Sequence, residues 1–309
     1  MHKHTFSAMK SVYTLILPLL LAATLVVRAE EPDDSRIVNQ VVQTHDAIVK
    51  ATGDTNALFL AFWDFDGTTM KGDCSEGLHD ENGKLIYPGL AQVAIEHGLS
   101  EIYSAKGGFE QFWFDYTNMD ARIGHWMAYP FIPQMLRGAK VTDLQQLSHD
   151  YFTTTLSNYL RSSSVRIIRE MEHAGVQSHI ITASSEIFVQ GVYDSLAIPT
   201  NHIHGIQIRI RDGRCTEELI YPMTWNIGKW QRIEQIVAQI HQDQPDRKVY
   251  ILAGFGDSYH TDGPFLAHIA KQELPAGKPI SVFYDNTNAP AEYQGLFYQA
   301  SHFATVGGK

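Results

Sequence analysis

The clearest feature in the hydrophobic pattern is Leu58–Trp63, six apolar residues without a polar interruption, closed by Asp64-Phe65-Asp66-Gly67-Thr68-Thr69. A short apolar run bounded by a glycine turn predicts a strand buried on both faces, the kind found in parallel sheets. Upstream, apolar residues at 37, 41, 42 and 48–49 predict a helix from Ser35 to about Lys50. From about Gly72 to Arg161 no strand is predicted; the pattern there gives helices over 89–98, 107–118, 120–136 and 143–160. The period then alternates. It predicts a helix at 165–174, a strand at 176–181, a helix at 186–196 and a short strand at 202–206. A hairpin over 207–221 turns at Asp212-Gly213, and helix 226–241 carries Ile233, Ile236, Val237 and Ile240 on one face. Strands follow at 249–254 and 280–284, with a further candidate at 302–306. Such alternation predicts an α/β fold, a doubly wound parallel sheet with the helical stretch inserted after the first strand. Strand connections normally take ~10–12 residues. Asp66 and Thr182 are 116 positions apart, enough for a small domain over 72–161 within a core of 30–71 and 162–309.

The first segment follows another logic. His2, Lys3, His4 and Lys10 precede an apolar stretch from Val12 to Val27, then Arg28-Ala29 and an acidic EEPDD segment. Small residues at Val27 and Ala29 suit a signal-peptidase site, so residues 1–29 are expected to be a cleaved leader and the mature protein periplasmic or secreted. The alternative is an uncleaved anchor, since the stretch approaches the ~18 residues of a spanning helix. Pro18 and the acidic segment favour cleavage, which would leave no membrane association. Loss of the leader's three basic residues takes the net charge from −10 to −13, which argues against nucleic acid as a partner. Cys74 and Cys215 are the two cysteines; an exported protein could join them or leave both as thiols.

Four pieces carry chemistry. Asp64 and Asp66 close the first strand, where open α/β sheets bind ligands. Two carboxylates so close call for a metal ion or a proton; alone they could be only an acidic turn. A carboxylate such as Asp64 can attack phosphorus and form an aspartyl-phosphate, and Asp66 is placed to protonate a leaving oxygen. The second piece, His179 to Ser185, is an apolar strand ending in Thr182-Ala183, whose hydroxyl and amides suit a phosphate. Ser184 or Ser185 could equally be a plain helix cap. Third, Lys229 stands in the first turn of a helix, where a cation opposes the macrodipole. Helix stability does not explain it; a bound phosphate, an aspartate or simple solvation would. Fourth, strand 249–254 runs into Gly256-Asp257-Ser258, with Asp262 following. Asp257 would complete an oxygen-rich pocket with Asp64 and the backbone carbonyl of Asp66, a donor set that suits Mg²⁺. Asp262 would orient a metal-bound water or Lys229.

In this order and on these elements, the four pieces resemble the haloacid dehalogenase superfamily, over essentially the whole chain after residue 55. The resemblance implies a Rossmann-like core of strand order 5-4-1-2-3 with an inserted α-helical C1 cap. It implies Asp64 as nucleophile, Asp66 as general acid and base, and Thr182, Ala183 and Lys229 around the phosphate. Asp64, Asp66 and Asp257 would hold Mg²⁺. The dehalogenase branch lacks an acid at the position of Asp66, so phosphoryl chemistry is the implied activity.

The spacing from Asp257 to Asp262, and the stretch Tyr221 to Lys229, are similar to exported bacterial phosphorylcholine phosphatases. The implied substrate is a small phosphomonoester, phosphorylcholine-like ahead of phosphoserine or another metabolite. Rivals are transfer to an alcohol acceptor and a non-catalytic phosphate-binding protein. A quaternary ammonium is attracted to aromatic faces, and 72–161 offers Phe109, Phe112, Trp113, Phe114, Tyr116, Trp126, Tyr129 and Tyr151. Trp113 and Trp126 are the candidates to contact substrate, but Phe109, Phe112, Trp113 and Tyr116 lie at helical spacing, which more often makes a core. Glu76, in the loop entering the insertion, could hold an amine or be solvated. His202 and His204 share a strand face but offer too few ligands for a metal site, and His260 is expected at the surface.

Overall fold

The computed structural model describes residues 33–284, 287–301 and 305–308. The expected leader and most of the candidate strand at 302–306 lie outside them.

The Leu58–Trp63 run forms β1 at the middle of a sheet. Helix α1 (Asp33–Thr52) precedes it. The segment between β1 and the next core strand contains a hairpin, β2 (Gly77–His79) with β3 (Leu85–Pro88). Helices α2 (Leu90–Glu96), α3 (Gly108–Arg122), α4 (His125–Gln134) and α5 (Val141–Thr154) complete it. Then come α6 (Ser162–His173), β4 (Val176–Ser185), α7 (Glu186–Val189) and α8 (Tyr193–Leu196). The hairpin β5 (Ile203–Arg211) and β6 (Arg214–Ile220) follows, with α9 (Ile227–Asp243) after it. The chain ends with β7 (Val249–Gly256), α10 (Gly263–Ala270), β8 (Ile280–Phe283) and β9 (Tyr298–Gln299).

The sheet runs β6-β5-β4-β1-β7-β8-β9, all parallel except the β5–β6 hairpin. Its five central strands, numbered as they occur, read 3-2-1-4-5. Alternate residues of β1 feed two separate cores. Phe59, Ala61 and Trp63 pack with α1 and α6, while Leu58, Leu60 and Phe62 pack with α9 and α10. Burying side chains such as Leu60 or Phe62 stabilises the fold by roughly 1.5–3 kcal/mol each. Both faces are therefore covered, as a doubly wound α/β sheet requires.

Several boundaries differ from the sequence reading. The β2–β3 hairpin lies where no strand was predicted: its strands are short and largely exposed, and its turn is held by Asp80 Oδ1 accepting from the Asn82 and Lys84 amides. The helix predicted over 120–136 is two, broken where Gly124 takes φ +105°. The helix predicted over 186–196 is likewise interrupted between α7 and α8. Strand β4 continues past Ile181 to Ser185, but its pairing with β5 is irregular between those residues. Both cysteines are buried thiols. Among the described residues no helix is long and apolar enough to cross a membrane.

Candidate active site

The parallel strands β1, β4 and β7 all end at one edge of the sheet, and the loops leaving them meet there. After Trp63 the chain turns sharply: the Thr69 and Met70 amides both donate to the Phe65 carbonyl, at 2.8 and 2.9 Å. Gly67, at φ +83°, is required for two reasons. The left-handed backbone favours glycine, and a Cβ there would lie 2.0 Å from Asp257 Oδ2. Glycine thus lets the Asp257 carboxylate close against the turn that carries Asp64 and Asp66.

Asp64 is held from three sides. Lys229 Nζ donates to its Oδ1 at 2.5 Å, and Thr68 Oγ1 lies 3.1 Å from its Oδ2 and 2.9 Å from Asp257 Oδ1. The Thr69 hydroxyl donates to its backbone carbonyl at 2.7 Å. Lys229 is fully buried and also donates to Asp262 Oδ1 at 2.6 Å. Burial alone would lower its pKa, but Asp262 and Asp64 outweigh that and hold the ammonium above its ordinary value. Burial, with help from Asp262, pushes Asp64 up to about 6 against the pull of Lys229. The other oxygen of Asp262 accepts from the Asp257 and Ser258 amides at 3.1 and 3.0 Å, fixing the loop that presents Asp257.

Asp66 faces elsewhere. Its Oδ1 accepts from the Cys74 amide at 2.7 Å and its Oδ2 from the Ser184 hydroxyl at 2.6 Å. Burial and then Asp73 hold its carboxyl well above the usual range.

A cavity of about 170 Å³ opens over these groups. Of the residues singled out from sequence, Asp64, Asp66, Glu76, Thr182, Ala183, Asp257 and Asp262 line it. Lys229 does not; it lies beneath, spent on two carboxylates. Trp113 and Trp126, the candidates to contact substrate, do not line it either. Trp113 packs on the rings of Phe109 and Tyr116, and Trp126 is half exposed with its indole donating to the Ile123 carbonyl at 3.1 Å. Tyr129 and Ile132 of α4 form the aromatic and apolar wall instead. Glu76 accepts a short hydrogen bond from Tyr116, and burial followed by Asp73 pushes it up to about 7. Larger hollows of about 490 and 480 Å³ lie beside α5 and α7, away from all these carboxylates.

The sequence reading missed Asp73, Ser184, Ser258 and Thr261, which also line the cavity. Asp73 was hidden in a loop, where its Oδ1 accepts from the Ser75 and Glu76 amides. Ser184 was weighed only as a cap. Its amide donates to Thr182 Oγ1 at 3.1 Å, which leaves the threonine proton free for a ligand.

One carboxylate oxygen each from Asp64, Asp257 and Asp262 lie within 4.8 Å of one another. With Asp262 committed to Lys229 and two amides, Asp64 and Asp257 are the side chains that fit a hard divalent cation. The Asp66 carboxylate lies instead in a second group of metal-ligating type with Asp73 and Cys74, so toward an ion between Asp64 and Asp257 it is the Asp66 main chain that would contribute.

No protein-family model and no curated protein matches the sequence. Solved structures share the fold. A protein of unknown function from Bordetella pertussis Tohama I is 17% identical, with a TM-score of 0.52 over 73% of this chain and 90% of that one. A conserved, functionally unknown protein from Anaerococcus prevotii DSM 20548 is 11% identical, with a TM-score of 0.56 over 86% and 91%. A phosphoserine phosphohydrolase-like protein from Francisella tularensis subsp. tularensis SCHU S4 is 15% identical, with a TM-score of 0.46 over 79% and 96%. At these identities the likeness is one of fold.

Proposed function

We propose that this chain is a phosphatase of the haloacid dehalogenase type, hydrolysing a small phosphomonoester through an aspartyl-phosphate on Asp64. The observation that carries the reading is the convergence of Asp64, Asp66, Thr182 and Asp257 on one small cavity, with Lys229 locked behind the nucleophile.

Asp64 Oδ2, held only by the longer contact to the Thr68 hydroxyl, attacks phosphorus while the bond to the leaving oxygen breaks, and that oxygen takes the Asp66 proton. The raised affinity of Asp66 for a proton suits it to this task near neutral pH. Water then attacks the aspartyl-phosphate, gives its proton to the Asp66 carboxylate, and releases phosphate and Asp64. Thr182 donates its hydroxyl to a phosphoryl oxygen, with Ala183 beside it. Lys229 offsets the charge on Asp64 from behind. Mg²⁺ held by Asp64 and Asp257, with the main chain at Asp66, would supply the charge that lets a dianion approach these acids.

The lining also bears on the substrate. Among the described residues it carries six carboxyl side chains and no cationic one. An ester whose leaving group bears a carboxylate or further phosphate meets repulsion there, whereas a cationic alcohol is attracted. Glu76 and the Tyr129 ring would receive its ammonium. A phosphorylcholine-like ester therefore fits better than phosphoserine. An exported location remains part of this reading, and the mature chain should begin at about Glu30.

Asp64→Asn should abolish phosphate release while the circular dichroism spectrum is kept, and retained turnover would overturn the assignment. EDTA should silence the wild-type protein and Mg²⁺ restore it. A phosphate-release screen should rank phosphorylcholine and phosphoethanolamine above phosphoserine, sugar phosphates and nucleotides; new esters formed on adding alcohols would favour transfer over hydrolysis.

A further inference from the structure

We propose that Ser184 is a positioning residue for leaving-group protonation, its hydroxyl and the Cys74 amide together aiming the Asp66 carboxyl into the cavity. This rests on the aspartyl-phosphate reading above.

The geometry begins in the sheet. Ladder pairing of β4 with β5 is irregular between Ile181 and Ser185, which places Thr182, Ala183 and Ser184 along the cavity. The backbone there has little room to move: a Cβ on Gly205 would lie 2.5 Å from the Ser184 carbonyl oxygen. Ser184 is buried, and its two polar hydrogens go to two different groups of the site. The amide donates to Thr182 Oγ1 and the hydroxyl to Asp66 Oδ2, at 3.1 and 2.6 Å. The Cys74 amide takes the other Asp66 oxygen at 2.7 Å, and the Cys74 thiol stands 3.6 Å from Oδ2.

A carboxyl gripped at both oxygens is fixed in rotation about its side-chain bonds. When the P–O bond breaks, the leaving oxygen gains an electron pair and takes the Asp66 proton. The carboxylate that results is already met by two strong donors and the weaker Cys74 thiol, so its charge forms where it is stabilised without rearrangement. Removing the Ser184 hydroxyl leaves that oxygen only the weak Cys74 thiol as a donor and lets the carboxyl turn away. Attack by Asp64 is untouched by this change, because none of the Asp64 partners involves Ser184.

The test compares esters that need protonation with one that does not. An alkyl phosphate such as phosphoethanolamine expels a strongly basic alkoxide, whereas p-nitrophenyl phosphate expels a stable phenolate. The readout is kcat/KM, which reports phosphorylation of Asp64 and excludes its later hydrolysis. Ser184→Ala should lower the alkyl-to-aryl ratio of kcat/KM by about 10- to 100-fold, part of the 10²–10⁴ that a positioned acid supplies. Ser184→Thr, which keeps the hydroxyl, should restore most of the ratio. In an Asp66→Ala background, Ser184→Ala should lower the ratio no further. Equal losses on both esters, or a further fall in that background, would overturn the proposal. An Asp64→Asn protein that still turns over either ester would instead remove the reading beneath it.

Discussion

Lys229 sets the electrostatics of the site: it reaches no solvent, and both of its ion pairs among the described residues are with carboxylates of the site. Breaking a buried ion pair from one side leaves the other charge without compensation, at about 3–5 kcal/mol. Lys229→Met should therefore lose stability on that order in urea unfolding with EDTA present, and lose phosphate release with it. The double variant Lys229→Met with Asp262→Asn should recover part of the stability and none of the activity, since Asp64 still lacks its cation. A fully stable single variant would mean that these acids are neutralised by protons rather than by the lysine. A lone lysine near a helix start was compatible with several readings from sequence. Its weight comes from Asp64 and Asp262, which are 198 positions apart and which only the fold brings together.

At the scale of elements, the site depends on how the loops after β1, β4 and β7 and the first turn of α9 are seated. That turn is pressed hard against the chain before it: a Cβ on Gly228 would lie 1.8 Å from the Met223 carbonyl oxygen. Gly228→Ala must push the start of α9 outward and carry Lys229 with it. Overpacking of this kind costs about 1–3 kcal/mol, and kcat should fall even where the protein stays folded at assay temperature. Thermal melts read beside initial rates check this; unchanged values for both would show that α9 can slide freely. The parallel core was legible in the sequence because β1 and β7 are mostly apolar runs and β4 has Ile180-Ile181 at its centre, each leading into chemistry-bearing residues. Helix α10 went unread because its eight residues, GPFLAHIA, form a short and mostly apolar stretch that opens on Gly263-Pro264. The β2–β3 hairpin went unread because strands this short and exposed leave no alternation. For the same reason Glu76 and Asp73 could be seen as loop acids but not as cavity walls.

Across the whole molecule, the interior contains one polar layer that the proposed chemistry does not use. His179 of β4 is stacked on His202 at 4.0 Å between ring centroids, and its Nδ1 lies 3.2 Å from His204 Nε2. The His179 and His204 rings are within 6° of coplanar with centroids 5.5 Å apart, so the two nitrogens face each other along a hydrogen bond. Lone pairs arranged this way do not converge on an ion, and the trio forms no metal-binding group among the described residues. Its consequence is for stability. Burial lowers all three pKa values; for His204, burial and then Arg232 bring it down to about 3. Such groups take up protons in the unfolded chain before the folded one. Their contribution is complete above about pH 6.5 and is lost as pH falls toward the folded value, at about 1.4 kcal/mol per unit for each fully depressed group. The cavity acids push the other way, because Asp64 at about 6 and Glu76 at about 7 bind protons more tightly when folded. Only a difference between proteins separates the two slopes. His204→Gln removes one depressed group, so its stability relative to wild type should improve by about 2 kcal/mol between pH 8 and pH 5. Urea unfolding of both proteins at the two pH values measures this directly, and a gap that does not move with pH would mean that His204 titrates as an exposed imidazole.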